Sequence, residues 1–144
     1  MEQLNLQLGL DDDDPLVQLL TPRDILSRIT RGELSRFKED RRVEFKQNLI
    51  HFDELVKYYS MFSNTAPDGG IILIGVDKNG SPSGCTSLSA AQINKLESFH
   101  LQYCPAAKPE HSHIPCTVNG LSDFIVAIYV PYLNRLCETN KGEA

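Results

Sequence analysis

Residues 69–84 read Gly69-Gly70-Ile71-Ile72-Leu73-Ile74-Gly75-Val76-Asp77-Lys78-Asn79-Gly80-Ser81-Pro82-Ser83-Gly84. Ile71 to Val76 is a continuous apolar run of strand length, which predicts a central strand covered on both faces. Gly69 and Gly70 permit a tight path into that strand, and Gly75 lets another backbone come close. Asp77-Lys78-Asn79-Gly80 predicts a hairpin turn. A strand buried on both sides needs cover on both sides, so the rest of the chain has to supply it.

Upstream, Thr21-Pro22-Arg23-Asp24 predicts a helix start, with Thr as N-cap, Pro at N1 and an acid in the first turn. Ile25, Leu26 and Ile29 form its apolar face and Gly32 its stop. Arg41 to Phe45 reads as a strand that turns Val43 and Phe45 to one face and Arg42, Glu44 and Lys46 to the other. Asp53 is placed to cap a helix carrying Leu55, Val56, Tyr59 and Phe62 at helical spacing. Downstream, Ser89-Ala90-Ala91-Gln92 predicts a capping box for a helix ending near Cys104-Pro105. Two further strands, Ile114 to Val118 and Phe124 to Val130, join through Asn119-Gly120. The order α-β-α-β-β-α-β-β predicts an α+β fold, with a mixed, largely antiparallel sheet packed with about three helices.

At 144 residues, 41% hydrophobic and 23% charged, the composition suits one globular domain. The expected division is an acidic N-terminal arm, residues 1–20, and a domain over 21–144. No apolar run approaches the ~18 residues of a membrane helix. The four cysteines include no CxxC, and the N-terminus has no basic start. A reduced, cytoplasmic protein is therefore expected. The net charge of −5 resides wholly in residues 1–20, through Glu2 and Asp11 to Asp14. Residues 21–46 carry eight bases against five acids, a local excess able to attract phosphate. The Asp11–Asp14 block is expected to compete with phosphate for it. Leu4, Leu6, Leu8 and Leu10 alternate with other residues, predicting a short strand or arm.

Three ordered pieces of the chain carry a resemblance. They are Glu39-Asp40-Arg41-Arg42-Val43-Glu44-Phe45-Lys46, then Met61-Phe62-Ser63-Asn64-Thr65 with Gly69-Gly70, and Ile72-Leu73-Ile74-Gly75-Val76-Asp77-Lys78-Asn79-Gly80 ending at Ser83-Gly84. In that order they resemble the Schlafen-type AlbA-like domain, whose pattern runs ES-x-x-x-EFK, AFANT-x-GG, L-x-IGV-D-x-x-G and x-x-G. Asp40 stands where the family has Ser, and Ala66-Pro67-Asp68 lengthens the middle loop. Relatives continue beyond the equivalent of Lys141–Ala144, so the resemblance implies a domain truncated at its C-terminus. It also implies nucleic-acid binding, as in bacterial relatives described as transcriptional regulators or helicase-related proteins. The leading expectation is a DNA-binding domain of a transcriptional regulator-like protein.

For binding, Arg41, Arg42, Lys46 and Lys78 would lie near one end of the sheet and neutralise phosphates of DNA or RNA. In the animal Schlafen branch, matching positions form a three-carboxylate centre for metal-dependent RNA cleavage. Carried over, the resemblance implies Glu39, Glu44 and Asp77 as catalytic and metal-binding residues, with Mg²⁺ or Mn²⁺. Glu39 and Glu44 are an odd number of strand positions apart and converge only if the chain bends near Asp40. Without that chemistry no cofactor is expected, Glu44 pairs with Arg42 or Lys46, and Asp77 starts a hairpin turn. The third expectation is a non-catalytic oligomerisation or sensing module, a homodimer formed through the N-terminal arm or an edge strand.

No G-x-x-x-x-G-K-[ST] is present, so an intrinsic NTPase is excluded. His111, His113 and Cys116, with Cys104 upstream, are zinc-ligand types. Cys116 would fall on the opposite strand face from the two histidines, and the spacing is not a standard zinc one. Cys85 and Cys137 have no evident partner for thiol chemistry.

Overall fold

A computed structural model describes residues 20–47, 52–65 and 68–133. The Leu4–Leu10 and Asp11–Asp14 segments, Ala66-Pro67, the Asp53 side chain, Cys137 and the C-terminal residues lie outside the described ones.

The first helix among the described residues is α1, Pro22–Thr30. Its N-terminus carries the expected cap: the Thr21 hydroxyl accepts from the Asp24 N–H at 3.1 Å, and Asp24 accepts in return from the Thr21 N–H at 3.3 Å. A 3₁₀ turn, Leu34–Arg36, leads to strand β1, Val43–Lys46. Helix α2, Phe52–Ser63, connects β1 to β2, Gly70–Ile74. Asp53 thus falls in the first turn of α2, not before it.

Two helices follow, α3 (Ala90–Ser98) and the single turn α4 (His100–Tyr103), then strands β3 (Glu110–Val118) and β4 (Leu121–Val130). Ser89 and Gln92 form the expected capping box, although the continuous helix expected up to Cys104 is divided at Phe99. Asn119 and Gly120 both take positive φ, 52° and 79°, the backbone of a tight hairpin turn whose twist matches its strands.

The sheet runs β1-β2-β4-β3. β1 and β2 are parallel, with Val43 opposite Ile71 and Lys46 opposite Ile74. The other two pairings are antiparallel, Gly70 opposite Val130 and Glu110 opposite Tyr129. The architecture is α+β with a mixed sheet. The additional strand expected after the Asp77–Gly80 turn reduces to one bridge, Val76 to Pro82, because Pro82 and the glycines around it leave little backbone to extend a ladder.

The apolar run reads as expected: Ile71 through Ile74 are all fully buried. Ile72 and Ile74 face a core with Leu55, Tyr59, Phe62, Leu96 and Val126. Ile71 and Leu73 face a second core with Ile25, Ile29, Phe37, Val43 and Phe45. Helices α2, α3 and α4 therefore cover one face, and α1 with the 3₁₀ turn covers the other. No helix among the described residues is long and apolar enough to cross a membrane.

Candidate nucleic-acid interface

Among the described residues β1 ends the sheet, so its outward N–H and C=O groups have no strand of these residues beside them. The chain supplies substitutes from the segment just before it. Asp40 and Val43 exchange backbone hydrogen bonds at 3.1 and 3.2 Å, closing a turn. That turn reverses the chain, and Glu39 Oε2 then accepts from the Phe45 N–H at 2.9 Å. The bend near Asp40 that convergence required is present, and it sets Glu39 beside Glu44.

The two carboxylates line a cleft of about 490 Å³ together with Lys46, Gln47, Tyr58 and Lys78. The cleft lies where β1 and β2 reach their C-terminal ends, the usual place for a ligand beside parallel strands joined by a helix. Alternation along β1 puts Glu44 and Lys46 on the α2 side, where Tyr58 and Glu54 meet them. Lys46 Nζ is 2.9 Å from Glu54 and 3.5 Å from Glu44, and stands 5.0 Å above the Tyr58 ring.

These contacts set the proton affinities. Glu44 is raised above the ordinary carboxylate value, first by burial and then by the charge of Glu39; a hydrogen bond from Tyr58 and the charge of Lys46 oppose the shift. Tyr58 is raised by burial and by its hydrogen bond to Glu44. Burial works against the Lys46 charge, yet its bond to Glu54 and the surrounding negative charge raise it overall. Lys46 is thus a firmly charged ammonium held between carboxylates.

The remaining residues singled out in the sequence are distributed as follows. Lys78 is exposed and lines the cleft. Arg41 is exposed at the Asp40–Val43 turn. The Arg42 guanidinium binds Asp40 at 2.7 Å and the Leu20 carbonyl at 2.7 Å, tying the residue before α1 to the start of β1. Asp77 does not line the cleft. Its Oδ1 accepts from the backbone of Asn79 at 2.9 Å and Ser81 at 3.0 Å, which shapes the turn that presents Lys78. The geometry therefore brings Glu39 and Glu44 together and leaves Asp77 in its own turn. Among the described residues no three His, Cys, Asp or Glu side chains are placed to hold a metal ion.

The zinc-type residues likewise divide by strand face. His111 and His113 point toward α3 and α4, with His113 2.7 Å from Glu97, whereas Cys116 packs against the α1 core. The Cys85 thiol is pushed up to about 11, by burial first, which suits an apolar core residue more than a nucleophile.

Two residues, Tyr58 in the cleft and Asp123 outside it, escaped the sequence reading. Tyr58 flanks the apolar face of α2, and its only local signal is the i, i+4 spacing from Glu54. Asp123 fastens the loop after Gly84 by accepting from the N–H groups of Cys85, Thr86 and Phe124 and from the Thr86 hydroxyl, all within 3.0 Å. Its partners in that loop are far away in the chain, so spacing gave no hint of it.

No curated protein matches the chain. A protein-family model described as Schlafen, AlbA_2 matches residues 39–144, beginning at the carboxylate that caps β1. The match takes in the cleft, the β1-α2-β2 unit and the β3-β4 hairpin, so by the greater part of its length the chain belongs to the Schlafen, AlbA_2 family.

Proposed function

We propose that the chain is a nucleic-acid-binding domain serving transcriptional regulation, with DNA as its ligand. Membership of the family points to a nucleic-acid-related function. The observation that carries the reading is the gathering of Lys46, Lys78 and Tyr58 around one cleft, with Arg41 exposed on the turn before β1. Lys78 and Arg41 neutralise phosphate, while Lys46 stays paired to Glu54 and Glu44, and the Tyr58 ring offers a surface for a base. Phosphate contacts position the ligand without reading its sequence. Glu39 and Glu44 keep the floor of the cleft acidic, so phosphates lie along the Lys78 and Arg41 side.

The test follows fluorescent single- and double-stranded DNA and RNA by anisotropy at low and moderate salt. Affinity should fall with salt, and Lys78→Ala should reduce the slope of log K against log salt by about 1. Unchanged binding in a Lys78→Ala, Arg41→Ala double variant would overturn this placement.

A second reading, metal-dependent ribonuclease activity at Glu39, Glu44 and Asp77, is favoured by the adjacency of the first two carboxylates. The commitment of Asp77 to its turn weighs against it. The same samples, incubated with Mn²⁺ or EDTA and run on a denaturing gel, separate the readings. Intact strands support binding alone, whereas Mn²⁺-dependent cleavage lost in Glu44→Ala supports the second.

A further inference from the structure

The opposite face of the sheet carries a groove of about 300 Å³ that the nucleic-acid reading does not use. Ile29, Leu34, Pro82, Ile114, Cys116 and Ile125 are among its lining residues. Arg28, Arg31 and Arg36 adjoin the lining residues in the chain. Glu33 bridges Arg28 at 3.6 Å and Arg36 at 3.9 Å, and Asp123 lies opposite Cys116, so three arginines stand against two acids around the groove.

One segment of this chain matches both features. Leu4, Leu6, Leu8 and Leu10 would share one face of an extended stretch, and Asp11–Asp14 follow directly. We propose that the Leu4–Leu10 segment docks in its own chain's groove, leucines toward the apolar floor, with Asp11–Asp14 against Arg28, Arg31 and Arg36.

The reach is sufficient. Leu20 is held by Arg42 at the N-terminal end of α1, and the groove lies at its C-terminal end, about 14 Å away at the rise of a helix. Residues 11–19 can span up to about 30 Å. This tether favours the chain's own arm over one from a second copy, because it fixes a high local concentration. The neighbouring β3 edge is the less suitable seat: Pro115 at its middle has no N–H to offer a further strand.

Cys116 lines the groove and is partly exposed, whereas Cys85 and Cys104 are buried. Alkylation of the full chain with N-ethylmaleimide, read by peptide mass spectrometry, therefore reports whether the groove is covered. Cys116 should react about tenfold faster in Leu6→Asp/Leu8→Asp than in the unaltered chain, as for a site open in a tenth of molecules. Cys85 and Cys104 should stay unreactive in both, certifying the fold. Replacing Asp11–Asp14 by Asn should also accelerate Cys116, more at low salt than at high. Equal rates in the unaltered and both altered chains would overturn the proposal. So would protection that grows with protein concentration, which assigns the groove to a second copy.

Discussion

Glu44 lies between Glu39 on one side and Lys46 and Tyr58 on the other, in a cleft that would have to receive a polyanion. Its charge works against any phosphate that enters, and its raised proton affinity means that acid neutralises it earlier than an ordinary carboxylate. Binding should therefore strengthen as pH falls toward the carboxylate range, beginning above 4.5, the ordinary value. Glu44→Gln keeps the shape and removes the charge. It should tighten nucleic-acid binding about fivefold at low salt, roughly 1 kcal/mol for one partly screened charge, and flatten the pH dependence. Anisotropy titrations of both proteins across that range check it, and weaker binding by Glu44→Gln would show that the carboxylate contacts the ligand directly. Gly70 makes a different demand at the same scale. A Cβ there would run into the Phe62 ring, so Gly70→Ala should cost about 1–3 kcal/mol as overpacking. Phe62→Leu should recover part of that loss in a double-mutant cycle by denaturant unfolding. The Phe62 and Gly70 of the family pattern are thus two halves of one contact.

Among the elements, α4 and β3 meet through histidines. The His100 and His111 rings lie 5.8 Å apart, and the buried Tyr59 hydroxyl stands 3.4 Å from His111 Nε2. Glu97, His113 and Cys104 complete the titratable groups around them. Burial lowers both histidines, and for His111 the neighbouring His100 adds to it. The folded state thus favours neutral rings while the unfolded chain protonates near 6.5. Stability is fully present above that value and is lost as pH falls through it toward the lower folded values. As pH falls below about 7 unfolding should take up protons, and His111→Gln should reduce that uptake. Denaturant midpoints at several pH values measure it, and identical slopes in both proteins would overturn the assignment. Sequence period foretold much at this scale. The alternation of Val43 and Phe45 against Glu44 and Lys46 is seen in the strand, and the N-cap expected at Thr21 and the capping box expected at Ser89 both formed. What period could not convey is that β1 is an edge among the described residues, and that Glu39 stands in for a neighbouring strand there. Hydrogen-bond partners of an edge are decided by the whole sheet, as are those of Asp123.

For the molecule as a whole, the decisive relation is between the family's extent and the two-faced sheet. The match begins at Glu39, yet Ile25 and Ile29 of α1 are buried against Ile71 and Leu73. Without α1, the second face of β2 and β4 would meet water across Ile71, Leu73, Ile125 and Ala127. The Arg42 contact to the Leu20 carbonyl would be lost as well. Contiguous apolar exposure of that kind is poorly tolerated, and each large aliphatic side chain left uncovered forfeits about 1.5–3 kcal/mol of burial. A domain's whole stability is about 5–15 kcal/mol, so the loss of this layer is comparable to the total. A chain shortened to residues 39–144 should therefore lack cooperative unfolding in denaturant and bind apolar dyes, while Ile25→Ala in the full chain should stay folded with a loss of about 2–5 kcal/mol. A sharp transition in the shortened chain at the full chain's midpoint would show that α1 is an accessory and that the matched region closes its own core.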